Sequence, residues 1–78
     1  MISERLKSVI RAQLRLEASF PIDEETTAQK VPGWDSLGHV ALLAAIEHEF
    51  GIRFRTLEVL RIPNVGALQA LVFRKLLR

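Results

Sequence analysis

Residues 32–40 read Pro32-Gly33-Trp34-Asp35-Ser36-Leu37-Gly38-His39-Val40 and join a polar loop to a segment with helical periodicity. Ser36 stands at that junction, where a helix presents unpaired backbone N–H groups and the positive end of its dipole. A phosphodiester attached to this hydroxyl would lie in a favourable field, and Gly33 leaves room for an approaching enzyme. The pattern therefore suits a covalent attachment point better than an active site, and the other interpretation of the same spacing is that Ser36 is simply the N-cap of the helix.

The remaining sequence predicts an all-α protein. Apolar residues recur with helical spacing from Ile2 to about Leu16, over residues 36–50 and over residues 65–77. One short helical turn is expected at residues 57–60. No segment alternates convincingly in the manner of a β-strand. The expected fold is a small bundle with three main helices, one short helix and a long first loop.

Apolar stripes assign an inner face to the two later main helices. On the second helix this stripe consists of Val40, Leu43, Ile46, Glu47 and Phe50, widened by Leu42 and Ala45. On the last helix it consists of Val65, Leu68, Val72 and Leu76. From the first of these stripes we expect Phe50 to be a central core residue.

Local signals mark the helix ends and the loop. Ser3 and Asn64 are expected to cap the starts of the first and last helices, and Gly51 is expected to end the second. Residues 18–35 have no sustained period, and loops of this length are usually functional or poorly ordered. The side chains expected to anchor this loop are Phe20, Ile22, Val31 and Trp34.

Composition narrows the class of protein. A chain of 78 residues is one domain at most, and the expected domain spans 1–78. It has no cysteine, which excludes thiolate metal sites and a cysteine nucleophile. No apolar run approaches the roughly 20 residues of a membrane span, and residues 1–7 lack a signal-peptide core. We therefore expect a cytoplasmic protein without stable membrane insertion. Its net charge of +2 does not by itself require a nucleic-acid partner.

The chain resembles the acyl carrier protein family over nearly its whole length. The resemblance is carried by Asp35-Ser36-Leu37, by Glu47-His48-Glu49-Phe50-Gly51-Ile52 at the following helix end, and by Ile62-Pro63-Asn64-Val65. It implies a four-helix bundle of the acyl-carrier type and a protein that is not an enzyme. It also implies that Ser36 receives 4′-phosphopantetheine from coenzyme A through a separate phosphopantetheinyl transferase. The thiol of that arm then carries acyl or aminoacyl groups as thioesters between partner enzymes.

The resemblance also implies roles for the neighbours of Ser36. Asp35 would be recognised by the transferase. Leu37 would be either a half-exposed contact for partner enzymes or an ordinary core leucine of the first turn. A further set would either line a slot for an acyl chain or simply pack in the core: Val40, Leu43, Ile46, Val59, Ile62 and Leu68. The expected partners are the transferase and enzymes that load or transfer acyl or aminoacyl groups, and the protein is expected to be a monomer.

The charge of this chain departs from the family pattern. Many acyl carrier proteins are strongly acidic, especially on the second helix, whereas here Gly38, His39 and Ala41 occupy positions where acidic residues are common. Arginines follow this helix closely, at Arg53, Arg55 and Arg61. Charge at the margin of a contact surface selects partners. We therefore expect this carrier to work with dedicated enzymes of a specialised pathway and to be a poor substrate for the enzymes of general fatty-acid synthesis.

Other functions have weaker support in the sequence. Asp35, Ser36 and His39 lack the oxyanion device and the third orienting group of a hydrolase triad. His39 and His48 lie about 180° apart on a helix, so they are expected to be boundary or surface residues rather than ligands of one metal. The alternative to a carrier is an unmodified helical module that binds a protein or an anion. Its basic face would comprise Lys7, Arg11 and Arg15.

Overall fold

The computed structural model describes residues 2–60 and 62–77, and within these ranges the secondary structure is helical. The four α-helices are α1 (Glu4–Leu14), α2 (Ser36–Phe50), α3 (Thr56–Val59) and α4 (Val65–Leu76). A 3₁₀ turn at Ala28–Lys30 lies within the long loop. The expected all-α bundle of three main helices and one short helix is thus confirmed. Among the described residues, no helix is long and apolar enough to cross a membrane.

The helix ends follow from local chemistry. The Ser3 hydroxyl accepts a hydrogen bond from Leu6 N–H at 3.4 Å, and the Asn64 side chain accepts one from Ala67 N–H at 2.8 Å. Gly51 ends α2 with φ of 66°, a conformation that glycine adopts without strain. These three predictions are confirmed. The first helix is shorter than expected, because Arg15 adopts the left-handed conformation with φ of 58° and ends α1 there.

The core lies between α1, α2 and α4, and its centre on α2 differs from the predicted stripe. Leu42 and Ile46 are fully buried, whereas Val40 is 66% exposed. Phe50 is only half-buried, and the Arg5 guanidinium lies over its ring at 4.6 Å. The prediction of Phe50 as a central core residue is therefore wrong. Residues 40 and 42 point about 200° apart on a helix, so burying Leu42 turns Val40 outward.

The inner face of α4 is also corrected at its end. Val65, Leu68 and Val72 are fully buried as expected, but Leu76 is 44% exposed. Leu71 is buried in addition to the expected residues. The side of α4 in contact with the core is therefore centred on Leu68, Leu71 and Val72 rather than extending to the last turn.

The long loop is held by side chains and by its backbone. Ile22, Val31 and Trp34 are buried, and Phe20 packs partly against the core, which confirms the predicted anchors. The loop carbonyls of Thr26 and Glu24 accept hydrogen bonds from Val65 N–H and Gly66 N–H, each at 2.9 Å. These are N–H groups of the first turn of α4, which have no partner inside the helix. The loop thus caps α4 while α4 orders the loop.

Two members of the predicted basic face are engaged within the protein. Arg11 donates to the Phe20 carbonyl, with Nη2 at 2.6 Å, and so ties α1 to the loop. Lys7 forms a salt bridge of 2.8 Å with Glu4. Of the three residues, only Arg15 is exposed, and the other two are half-buried. This arrangement does not favour the anion-binding module that the stripe suggested.

The corrected face of α2 can be tested with two matched truncations. We expect Ile46→Ala to lower the free energy of unfolding by about 2–5 kcal/mol, because it leaves a cavity in the core. Val40→Ala, six residues earlier on the same helix, should change it by less than about 0.5 kcal/mol. Urea unfolding followed by circular dichroism measures both. Equal losses would show that Val40 belongs to the core.

Candidate functional site

The side chain of Asp35 fixes where α2 begins. Its Oδ1 accepts a hydrogen bond from Gly38 N–H at 2.8 Å, and its carbonyl accepts one from His39 N–H at 2.7 Å. Ser36 is therefore the first residue of the helix and is exposed. Within residues 2–60 and 62–77, neither its hydroxyl nor the N–H groups of Ser36 and Leu37 have a hydrogen-bond partner. The site thus combines a free hydroxyl with two free donors at a helix N-terminus.

This site fits a phosphodiester on chemical grounds. A phosphate on the Ser36 oxygen would lie at the positive end of the α2 dipole, beside backbone N–H groups that have no other acceptor in the described structure. Asp35 partly offsets that field with its own charge, but its Oδ1 is directed to Gly38 N–H.

Two glycines allow the loop to approach α2 closely. Gly33 has φ of 82°, in the left-handed region, and its carbonyl oxygen lies against Gly38. A Cβ on Gly38 would overlap that oxygen far more closely than real Cβ atoms ever come. The sequence pattern gave Gly38 no such role, because the contact depends on the path of the loop. Both positions therefore need glycine for the loop to deliver Asp35 to its capping position.

Trp34 and His39 brace the segment on both sides of Ser36. The indole Nε1–H donates to His39 Nδ1 at 3.0 Å, and the two rings stack with 20° between their planes. On its other side, His39 Nε2 lies 3.4 Å from the Val59 carbonyl oxygen. The prediction that Trp34 anchors the loop is confirmed, and His39 is a half-buried boundary residue as expected. Its link to α3 was not foreseen.

An exposed apolar surface is formed by residues of α2, of α3 and of the end of α3. It consists of Leu37 and Leu57, each 83% exposed, and of Val40 and Leu60, each 66% exposed. The exposure of Leu37 excludes the reading of it as a first-turn core residue. Scattered exposed leucines are ordinary, but several of them on two neighbouring helices are typical of an interaction site.

A shallow groove of about 330 Å³ runs between α2 and α3. Among the residues considered for an acyl slot, Val40, Leu43 and Val59 line this groove. Ile46 and Leu68 are instead fully buried in the core, and Ile62 packs partly against it. The structure thus brings together half of the predicted slot residues and places the other half in ordinary packing.

The carboxylates of α2 and α3 are all used within the protein. Glu47 accepts a hydrogen bond from Phe54 N–H at 2.8 Å, and Glu49 forms a salt bridge of 2.8 Å with Arg5. Glu58 forms a salt bridge of 2.8 Å with Lys75. The hydrogen bond from Lys75, together with one from a backbone N–H, holds the pKa of Glu58 below its usual range.

The arginines that follow α2 are differently placed. Arg53 and Arg55 are exposed, and neither guanidinium forms a salt bridge with a described residue. Arg61, predicted to belong with them, lies outside the described residues. In the described part of the chain, no three histidine, aspartate or glutamate side chains are grouped so that they could hold a metal ion. Arg53 and Arg55 are therefore exposed cations, and the positive charge of Arg55 helps to lower the pKa of Glu58.

Comparison with known proteins supports a specific family. A family model described as "Phosphopantetheine attachment site" matches residues 4–72. The chain is similar to a solution NMR structure of a holo acyl carrier protein from Geobacter metallireducens, with a TM-score of 0.84. The two sequences are 32% identical, and the match covers 97% of this chain and 90% of the other. Comparison with curated proteins gives no match.

The contact between Gly33 and Gly38 leads to a prediction about stability. Replacing an exposed helical glycine by alanine usually stabilises a protein by about 0.5–1 kcal/mol. We expect Gly38→Ala to do the opposite and to lower the free energy of unfolding by about 1–3 kcal/mol, because the added methyl group overlaps a backbone oxygen. Denaturant unfolding measures the change. Ser8→Ala, at an exposed position of α1, is the control and should leave the free energy of unfolding unchanged or raise it slightly. A Gly38→Ala protein more stable than the wild type would contradict the close approach.

Proposed function

Because this chain belongs to the acyl carrier protein family, we propose that Ser36 is the residue that bears its 4′-phosphopantetheine arm. The protein is a carrier and not an enzyme. The thiol of the bound arm holds acyl groups as thioesters, and the protein works with a phosphopantetheinyl transferase and with acyl-handling enzymes. The position of the arm on this chain is the part that we infer from its own residues.

One observation carries the assignment to Ser36. Its hydroxyl is exposed and unbonded in the described structure, and it stands at a helix N-terminus that has free N–H donors. In the modification, the serine oxygen forms a bond to phosphorus, the nucleotide half of coenzyme A leaves, and the serine proton is lost. The chain supplies a nucleophile that is accessible and a field that favours the resulting phosphodiester. The base and the metal for the step belong to the transferase.

The neighbours of Ser36 have separable roles in this proposal. Asp35 uses Oδ1 to cap α2, and its Oδ2 has no hydrogen-bond partner among the described residues. We assign Asp35 to recognition by the transferase through this second oxygen. Leu37 is 83% exposed next to the attachment point, and we assign it to apolar contact with partner enzymes.

We further propose that each partner enzyme binds this carrier with an apolar surface of its own that has an acidic margin. The exposed Leu37, Leu57 and Leu60 supply the apolar contact, and the exposed guanidinium groups of Arg53 and Arg55 supply positive charge that is not used in a salt bridge with a described residue. The carboxylates of α2 and α3 are engaged elsewhere, as described above. Complementary charge steers association and rejects wrong partners. These features support dedicated enzymes of a specialised pathway in place of those that serve acidic carriers.

The attachment residue is tested by intact mass. The protein is incubated with coenzyme A, magnesium and a broad-specificity phosphopantetheinyl transferase. We expect the wild type to gain the mass of one phosphopantetheine group and Ser36→Ala to gain none while keeping its helical circular dichroism. Ser19→Ala, which removes an exposed hydroxyl from the loop, is the control and should be modified like the wild type. A modified Ser36→Ala protein would refute the assignment.

The charge of the partner is tested by transfer kinetics. Malonyl transfer to the holo protein by an acyltransferase of general fatty-acid synthesis should be slow compared with transfer to an acidic carrier. The double variant Arg53→Glu/Arg55→Glu should be faster, because it restores negative charge on this surface. Arg15→Glu/Arg74→Glu makes the same net change elsewhere and should have little effect. Equal rates for this carrier and an acidic one, or equal gains for both variants, would contradict the proposed surface.

A further inference from the structure

We propose that His39 is a positioning residue for Ser36, holding the preceding loop and α3 in one fixed arrangement through its neutral imidazole. We call the contacts of this imidazole with the Trp34 indole and the Val59 carbonyl the Trp34–His39–Val59 bridge. The proposal rests on Ser36 being the attachment residue. It assigns a function to a half-buried histidine that neither the chemistry of the arm nor the proposed recognition residues use.

The partners of His39 select one tautomer of its ring. Trp34 Nε1–H can only donate, and it lies 3.0 Å from His39 Nδ1, so Nδ1 must accept and carry no proton. The proton of the neutral ring is therefore on Nε2, which lies 3.4 Å from the Val59 carbonyl oxygen. The second contact is longer than an ordinary hydrogen bond, but that oxygen can only accept. One tautomer alone satisfies both contacts.

The two rings of the bridge flank the attachment point in the sequence. Trp34 lies two residues before Ser36 and His39 lies three residues after it, so the stacked rings fix the backbone on both sides of the serine. Trp34 is only 8% exposed, which anchors the pair to the core. A transferase that must bring coenzyme A to the Ser36 oxygen would meet this segment in one conformation and would not have to order it on binding.

The same bridge sets the position of α3. This helix has four residues, Thr56–Val59, which is too short to be stable by its own hydrogen bonds. It is tied to α4 by the salt bridge from Glu58 to Lys75 and to α2 by the contact of Val59 with His39. Because α3 and its end carry the exposed Leu57 and Leu60, these two ties hold the apolar surface in register with Ser36.

The tautomer gives a direct spectroscopic test on the unmodified wild-type protein. Long-range ¹H–¹⁵N correlation spectra at alkaline pH, where imidazole is neutral, report which ring nitrogen carries the proton. We expect the neutral ring of His39 to be a single Nε2–H tautomer. We also expect the Trp34 indole N–H to be hydrogen-bonded, so that its chemical shift changes in His39→Leu. A proton on Nδ1, or a rapidly exchanging mixture, would overturn the bridge. His48, which is exposed on the same helix, provides the internal reference.

Kinetics separate positioning from simple packing. With a broad-specificity phosphopantetheinyl transferase, we expect His39→Leu to lower kcat/KM for modification by about 3- to 10-fold, the range expected for one lost hydrogen bond. His39→Asn places an amide oxygen near the position of Nδ1, so it should retain the Trp34 contact and recover part of that loss. His48→Leu is the control and should be modified at the wild-type rate. All variants are compared well below their melting temperatures.

The outcomes are distinct for the two proposals. A wild-type rate in folded His39→Leu overturns the positioning role, as does a folded His39→Asn that shows no recovery. If His39→Leu does not fold, Trp34→Phe decides, because it removes the donor N–H and keeps an aromatic ring: a clearly lower kcat/KM supports the positioning role, and a wild-type rate overturns it. If the wild type is not modified at all, the assignment of Ser36 fails and the positioning role fails with it, whereas the tautomer measurement still reports on the bridge itself.

Discussion

The close approach of the Gly33 carbonyl to Gly38 is the constraint on which the site depends. It is possible only because Gly33 adopts a left-handed conformation and Gly38 has no side chain. The loop is thereby brought across the start of α2, and Asp35 reaches the N–H of Gly38. Once Asp35 is the cap, Ser36 is the first helical residue, with its hydroxyl and its N–H facing outward. The accessibility of the serine and the field around it both follow from this backbone contact.

The rest of the fold shows how a small domain keeps a long loop and a four-residue helix in place. A domain of this size buries a limited area, so the conformational entropy lost when each segment becomes ordered has to be offset by local contacts. The loop does so by capping α4 with two backbone carbonyls, while α3 depends on a salt bridge to α4 and on His39. The protein nonetheless leaves apolar side chains exposed near Ser36, which stability alone would not favour. Such exposure is typical of a surface that contacts other proteins.

The sequence predicted what depends on neighbours in the chain. The caps at Ser3, Asn64 and Gly51 need only adjacent residues, and the Asp35-Ser36-Leu37 motif is read directly. The buried face of α2 was harder to predict, because this helix has apolar residues around most of its circumference. Only the packing of α1 and α4 decides that Leu42 is buried and Val40 is exposed. His39 was placed at the boundary, but its contact with Val59 joins residues 20 apart in sequence, so no local pattern could indicate it. The proposal that Ser36 is the attachment point came from the family resemblance together with its place at a helix start.

The most direct test of the account is to locate the arm at the level of a single residue. The wild-type protein is modified with coenzyme A and a transferase and digested, and the modified peptide is then fragmented in a mass spectrometer. The account predicts that all of the added phosphopantetheine is on Ser36. Phosphopantetheine on any other serine or on a threonine would contradict it, and so would a folded protein that a proven transferase leaves unmodified.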